Sequence, residues 1–138
     1  MTSTATIENE GEKPHVGIIS ILLDSLDPQT LAVVDDTPFM KVTEGRGGRV
    51  RYATPYASAD ERLTVDVSAY DQLTLELIDW PVDEYMHLIE GELEITDLAG
   101  NISKFIPGDT LFMPKGFSGT WRQLSPIKKF SVSYNSQE

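Results

Sequence analysis

Few side chains in this sequence have the chemistry of a catalytic or metal-binding group. The chain has 22 acidic residues but only two histidines, His15 and His87, and no cysteine. Without cysteine there is no thiol nucleophile, no thiolate metal site and no disulfide framework. Glu84 is the leading candidate, because Met86 and Leu88 follow it at alternate positions and predict a strand that turns all three side chains inward. A carboxylate inside a barrel can bind a ligand or transfer a proton.

Short strands separated by turns surround Glu84. The stretch from 83 to 121 contains glycine or proline at nearly every break in the apolar pattern. Strands are predicted at 84–90, 92–97, 103–106 and 110–113. The turns between them contain Gly91, Gly100 and Gly108, and Gly116 is in the turn after the last of these strands. Strands this short and this regularly punctuated favour a closed antiparallel barrel or jelly roll over an open sheet.

The same stretch resembles the cupin superfamily, and within it the small single-domain proteins similar to the cupin domain of (S)-ureidoglycine aminohydrolase. EYMHLIEG, from Glu84 to Gly91, matches the second half of the first cupin motif. GDTLFMPKG, from Gly108 to Gly116, matches the first half of the second motif, and the FSGTW that follows resembles the smaller family. The resemblance implies an all-β fold, a cupin-type double-stranded β-helix or jelly-roll barrel.

The resemblance also implies where a metal would bind. Cupin metal sites take two histidines, a glutamate and a third histidine from the second motif, a donor set that suits Fe, Mn, Zn or Ni. Glu84 matches the glutamate. The histidine positions hold Ile78 and Trp80, or Leu77 and Asp79 with the other spacing, and Gly119 in the second motif. His87 is three residues beyond Glu84 and is expected on the opposite face of its strand. We therefore predict no metal site and no cofactor.

What remains is an apolar pocket with a few polar groups. Strand alternation places Met86 on the same face as Glu84, and Thr110 and Phe112 are expected to face inward with them. The resemblance implies that Gly119 is at an inward ligand position, so Trp121 and Gln123 should point the same way. The candidate ligand-binding residues are thus Met86, Thr110, Phe112, Trp121 and Gln123. Loss of hydration in such a pocket would raise the pKa of an unpaired carboxylate and suit Glu84 to general acid–base catalysis. The alternative is a structural glutamate hydrogen-bonded to the backbone, to Trp121 or to a tyrosine side chain, with the Trp121 N–H as the expected donor. Tyr85 and His87, on the other face, are interpreted as packing or interface residues.

The chain divides into a disordered, mobile tail at 1–14 and a single cupin domain at 15–138. Outside the central stretch, strands are predicted at 39–42, 49–53, 63–68, 73–78 and 127–134. The strand at 49–53 is expected at a sheet edge, and 56–62 is interpreted as a polar connection. Asp27 and Pro28 predict a helical turn through Val33, with Asp27 as its cap.

A net charge of −11 argues against nucleic acid and anionic membranes as partners. No apolar run approaches the 18 residues of a membrane span, and the start lacks a basic region followed by an apolar stretch. We expect a cytoplasmic protein, and a homodimer because dimers are the commonest oligomers.

Three functions are compatible with these residues. The first is a metal-independent cupin that binds a small molecule, as an accessory protein of a catabolic pathway. The second is a metal-independent hydrolase or isomerase with Glu84 as general acid or base. The third, implied by the resemblance, is a metal-dependent aminohydrolase.

Overall fold

The computed structural model describes residues 16–21 and 28–136, and within these ranges the regular structure is entirely β. Eleven strands follow one another along the described chain. They are β1 (Thr30–Val33), β2 (Met40–Glu44), β3 (Arg49–Ala57), β4 (Leu63–Tyr70), β5 (Thr74–Leu77), β6 (Asp83–Glu90), β7 (Leu93–Asp97), β8 (Ile102–Phe105), β9 (Thr110–Met113), β10 (Gly119–Gln123) and β11 (Ile127–Tyr134). The described part of the chain has no helix long and apolar enough to cross a membrane.

The strands form two antiparallel sheets. The six-stranded sheet has the order β1-β3-β4-β11-β6-β9, and the five-stranded sheet has the order β2-β5-β10-β7-β8. Neighbours in a sheet are often distant in sequence, as where β11 lies between β4 and β6. Except for the pairs β3–β4 and β7–β8, consecutive strands alternate between the two sheets, so the chain winds around a common interior. The predicted all-β jelly-roll barrel is confirmed.

Glycine makes the sharp turns that the sequence predicts. Gly91, between β6 and β7, has a φ of 87°, in the region that residues with a side chain rarely adopt. A Cβ atom there would also overlap the carbonyl oxygen of Pro126. Two requirements therefore select glycine: the left-handed backbone and the close approach of the loop before β11. The hairpin that follows is closed by a hydrogen bond of 3.0 Å from the Asp97 N–H to the Asn101 carbonyl.

The core lies between the sheets. Four members of the core cluster are only 1% exposed: Leu73, Met86, Leu88 and Leu93. Trp121 and Ile95 pack in the same cluster. These side chains come from both sheets, so the two sheets are held together by apolar burial that stabilises the fold by about 25 cal/mol for each Å² removed from water.

Two strands of the six-stranded sheet have their polar face toward the interior. In β4, Asp66 and Ser68 line the interior while Val65 is on the other face. In β11, Lys129 and Ser131 are buried inside. The apolar residues at the alternate positions of both strands therefore form the outer face of the sheet. There the register pairs Val67 with Phe130 and Val65 with Val132. This arrangement reverses the usual relation between apolar face and interior.

Three predictions for the first part of the chain are wrong. The helical turn from Pro28 to Val33 is replaced by strand β1, because residues 30–33 pair with β3 instead of bonding within their own segment. β3 is not an edge strand, since β1 and β4 flank it. It also extends to Ala57, into the predicted connection. The predicted tail at 1–14 and the capping residue Asp27 lie outside the described residues.

Candidate functional site

A cavity of about 430 Å³ lies between the two sheets. The five-stranded sheet contributes an apolar wall that includes Leu75, Leu77 and Trp121. The six-stranded sheet contributes a polar wall of hydroxyl, carboxylate and ammonium groups; its members are Thr64, Asp66, Ser68, Glu84, Lys129, Ser131 and Ser133. Tyr52, which is 38% exposed, lines the cavity where it meets solvent. The volume is within the range of small-molecule sites.

A buried ion pair lies at the centre of the polar wall. The Lys129 Nζ is 3.2 Å from the Glu84 Oε2, and the two residues are 8% and 7% exposed. Lys129 also donates to the Ser131 Oγ at 2.8 Å, and the Trp80 Nε1 donates to the Glu84 Oε1 at 3.0 Å. Both carboxylate oxygens are thus hydrogen-bonded, while the ammonium group has one N–H with no acceptor among the described residues.

Strand register brings the pair together from positions 45 residues apart in the chain. β11 pairs with β6 on one side and β4 on the other, so Lys129 lies opposite both Leu88 and Ser68. The register shifts between Lys128 and Lys129, which sets Lys129 level with the inward-facing residues of β6. The aromatic rings of Tyr70 and Trp121 lie 5.7 and 6.0 Å from the ammonium nitrogen. An ammonium group between a carboxylate and two ring faces is electrostatically stabilised.

The ion pair gives Lys129 an unusual titration. Burial lowers the pKa of this lysine, but the Glu84 carboxylate, with Tyr70 and Asp66, raises it more, so the net pKa lies above the usual 10.5. A folded-state pKa above the unfolded one stabilises the protein at every pH below the unfolded pKa. This contribution is lost as the pH rises through the folded pKa, which places the loss above 10.5.

We therefore expect a pH-dependent difference in the free energy of unfolding between the wild type and the Glu84→Gln/Lys129→Met double variant. Urea titrations from about pH 8 to about pH 11.5 should give a constant difference up to the ordinary lysine pKa and a decline of the wild type relative to the variant above it. The variant serves as the control, because titration of other lysines and tyrosines affects both proteins. A difference that stays constant to the highest pH would contradict the assignment.

Two predicted pocket residues line the cavity. Met86 and Trp121 face inward as expected, and Glu84 is inside with them. Gln123 is 2% exposed but lies behind Trp121, outside the cavity lining. Its Oε1 accepts from the Trp121 Nε1 at 3.2 Å, and its Nε2 donates to the Asp71 carbonyl at 2.9 Å. Gln123 thus orients the Trp121 ring, and the ligand-binding role of the inward residues remains a prediction.

The orientation predicted for β9 is wrong. Thr110 and Phe112 are exposed on the outer face, Phe112 by 59%. The register pairs Met113 with Glu84 and Phe112 with Tyr85, and directly paired residues share a face of the sheet. Met113 therefore enters the cavity instead. After the Pro107-Gly108 turn, either the odd-numbered or the even-numbered residues of β9 could face inward, and the pairing with β6 decides which do.

The predicted partner of Glu84 is also wrong. The donor is the Trp80 indole, from the loop before β6, and the Trp121 indole is directed to Gln123. Lys129 was not identified from the sequence at all. The run IKKFSVSY has its apolar residues on the face opposite Lys129, so alternation alone places this lysine in solvent. The sequence contains one signal for an inward lysine: Lys129, Ser131 and Ser133 alternate along the strand and so form one polar face.

The donor set does not fit the metal that the family resemblance implies. Among the residues that the structure describes, no group of three His, Cys, Asp or Glu side chains converges on one point. Ile78 is 46% exposed, and Trp80 donates to Glu84. At Gly119 a Cβ atom would overlap the Thr96 carbonyl oxygen and lie 2.9 Å from the Phe117 ring, so the position admits no side chain. His87 pairs with Phe130 and Thr110 on the outer face, and His15 lies outside the described residues.

Comparison with known proteins agrees with this architecture. The family model described as the EutQ-like cupin domain matches residues 78–130. A putative ethanolamine utilization protein Q from Salmonella typhimurium is 20% identical with a TM-score of 0.54, and the match covers 63% of this chain and 70% of that one. The Clostridium difficile EutQ protein is 20% identical with a TM-score of 0.55, over 66% and 71% of the two chains.

A protein with unknown function from Pseudomonas syringae pv. tomato is 23% identical, with a TM-score of 0.67. The match covers 80% of this chain but only 46% of that one, so the chain spans less than half of that relative. None of the curated proteins matches the sequence. The fold is a jelly-roll barrel with a cavity between its sheets. This fold is that of the cupin superfamily, and residues 78–130 match the EutQ-like cupin domain.

Proposed function

We propose that this cupin binds a small organic molecule, without a metal ion, in the cavity between its sheets. The observation that carries the proposal is the buried Lys129–Glu84 pair in the cavity wall. Burying two charges costs several kcal/mol, about as much as their attraction returns, so such a pair is a weak device for stability alone. Here it leaves one ammonium N–H without an acceptor among the described residues, beside an open cavity.

The Lys129 ammonium fills the role that a metal cation has in other cupins: it is a fixed positive charge next to the glutamate of the first motif. Trp80, at one of the positions where the resemblance implies a histidine, donates to the same glutamate. The glutamate therefore has a counter-charge and a hydrogen bond to each carboxylate oxygen without a metal. An accessory role in a catabolic pathway and cytoplasmic residence belong to the same proposal. The EutQ-like match supports the accessory role, because the Salmonella relative is described as a putative ethanolamine utilization protein.

Metal analysis tests this proposal directly. Protein purified without a chelator is expected to contain far less than one equivalent of any transition metal, and its unfolding temperature should not change on addition of EDTA. One equivalent of bound metal per chain, with a fall in unfolding temperature after chelation, would support the metal-dependent aminohydrolase instead.

A ligand screen separates the binding protein from the metal-independent enzyme. The probes are acetate, benzoate, ethanolamine, D-glucose and myo-inositol, observed by saturation-transfer NMR with the wild type and the Glu84→Gln/Lys129→Met variant. Binding by the wild type that is lost in the folded double variant supports the proposal. Chemical change of a bound probe that stops in Glu84→Gln, while binding persists, would establish catalysis. No binding of any probe would contradict the proposal.

A homodimer through the outer face of the six-stranded sheet is proposed as well. This face carries exposed aromatic residues, Tyr85 at 41% and Phe112 at 59%, next to Phe130 and Val132. An apolar face whose strands direct their polar residues inward is expected to be covered by another surface.

Charged substitutions on this face should separate the copies. The wild type is expected to have about twice the 15.3 kDa chain mass by light scattering, and the Tyr85→Asp/Phe112→Asp variant the mass of one chain. Leu98→Asp is the matched control, since Leu98 is 79% exposed in the β7–β8 turn, away from this face. A monomeric wild type, or a variant that stays dimeric, would contradict this interface.

A further inference from the structure

The polar wall of the cavity contains hydroxyl groups that have no partner. No hydrogen bond joins the side-chain hydroxyls of Thr64, Ser68 and Ser133 to another group in the described part of the chain. Ser68 is only 4% exposed and lines the cavity. A buried hydroxyl without a partner costs about 1–3 kcal/mol, so native proteins nearly always satisfy such a group. The partner of Ser68 is therefore expected from within the cavity, from water or from a ligand that displaces it.

These hydroxyls lie at two places on the wall. Thr64 and Ser133 are directly paired between β4 and β11, and Ser68 is paired with Lys129 in the same two strands. Neighbouring strands are about 5 Å apart and alternate residues of one strand about 7 Å apart. Thr64 and Ser133 are therefore about 5 Å apart, whereas Ser68 lies four residues farther along β4, about 13 Å from Thr64. Polar groups at two separate points of the wall match a ligand that carries several oxygen atoms better than one with a single polar head.

The charged groups of the same wall are already engaged. Glu84 accepts hydrogen bonds from Lys129 and Trp80, and Asp66 accepts one from the Thr54 hydroxyl. The two carboxylates and one ammonium group leave the lining with one net negative charge, which disfavours an anionic ligand. The groups that remain for a ligand are one Lys129 N–H and the hydroxyls, which donate and accept hydrogen bonds equally well.

The opposite wall is suited to a carbon skeleton. Trp121 and Leu75 lie on it, and Trp80 and Tyr70 add further aromatic surface. The negative face of an aromatic ring attracts the weakly positive hydrogens at the edge of a neighbouring group. A molecule with hydroxyls on one side and C–H groups on the other would match both walls together.

We propose that the ligand of this cavity is a neutral polyhydroxylated compound the size of one or two sugar rings. Its hydroxyls would bond to Ser68, Ser133, Thr64 and the free Lys129 N–H, and its C–H face would pack on Trp121. This inference rests on the small-molecule binding proposed above and adds the chemical class.

The test measures affinity by isothermal titration calorimetry for D-glucose, myo-inositol and maltose, with benzoate and cyclohexylammonium as comparison probes of similar size. At least one polyol should bind more tightly than both charged probes. Ser68→Ala and Ser133→Ala should each weaken that binding about five- to tenfold, the loss of one hydrogen bond. Ser103→Ala is the control, since Ser103 is an exposed serine on β8, outside this cavity.

Three outcomes would overturn the inference. If a charged probe binds in the cavity more tightly than every polyol, the chemical class is wrong, while small-molecule binding stands. If polyol binding is unchanged in both Ser68→Ala and Ser133→Ala, these hydroxyls do not recognise the ligand. If no probe of any class shows saturable binding, both the class and the binding function are contradicted.

Discussion

Replacing Lys129 with methionine is expected to destabilise the protein by about 3–5 kcal/mol, because the substitution leaves the buried Glu84 carboxylate without its counter-charge. Methionine retains the length and apolar stem of lysine, so the loss of packing is small. The carboxylate keeps only the Trp80 hydrogen bond, in a site where its hydration is largely removed. Urea unfolding followed by tryptophan fluorescence measures the effect.

A double-mutant cycle isolates the pair. Glu84→Gln in the Lys129→Met background is expected to recover most of the lost free energy, since the glutamine oxygen still accepts from Trp80 and no charge remains buried. Lys104→Met is the matched control: it breaks a 3.7 Å ion pair with Glu94 in which Lys104 is 70% exposed. Exposed pairs contribute about 0–1 kcal/mol. Equal losses for Lys129→Met and Lys104→Met would show that the buried pair is not formed.

Adding a single methyl group at Gly119 is expected to cost about 3 kcal/mol or more. The backbone of β10 approaches β7 so closely there that a Cβ atom meets the Thr96 carbonyl oxygen and the Phe117 ring. Relief requires the two central strands of the sheet to separate, which breaks their paired register. Thermal and urea unfolding of Gly119→Ala should both show this loss.

The same crowding at Gly119 should prevent a metal-binding histidine at this position. Gly119→His, which would supply the histidine of the second cupin motif, is expected to unfold the barrel and not to bind metal. Gly17→Ala is the control, because a Cβ atom at Gly17 has no neighbour within 4 Å. A folded Gly119→His protein that binds one equivalent of Zn²⁺ would show that this position can admit a ligand after all.

Local patterns predicted the strands and turns of the central stretch well. The strand at 110–113 has the observed bounds, and those near Glu84 agree to within a residue. Gly91, Gly100, Gly108 and Gly116 all have positive φ in the turns where they were expected. Such features depend on two to five neighbouring residues, so the sequence contains the information directly. The strand β1 was missed because its conformation depends on pairing with β3.

Alternation alone could not identify the inner face of each strand. In β6, Met86 and Leu88 alternate with polar residues and are inside together with Glu84, as expected when the apolar face of a strand faces the core. In β4 and β11 the rule fails, because the interior contains a polar cavity and the apolar residues face outward. The same limit explains why the predicted orientation of Thr110 and Phe112 is wrong. A shift of one residue in strand pairing exchanges the two faces of a strand, and the partner strand decides the pairing.

The amino-acid sequence by itself determined the class of fold, the glycine turns, the inward direction of Glu84 and the lack of histidine at the positions that the cupin resemblance reserves for it. Only the tertiary structure decided that Lys129, and not a metal-binding histidine, accompanies this glutamate, and that Trp80 instead of Trp121 donates to it. Turns and alternation arise from neighbouring residues, whereas the ion pair joins residues 45 positions apart through the register of two strands.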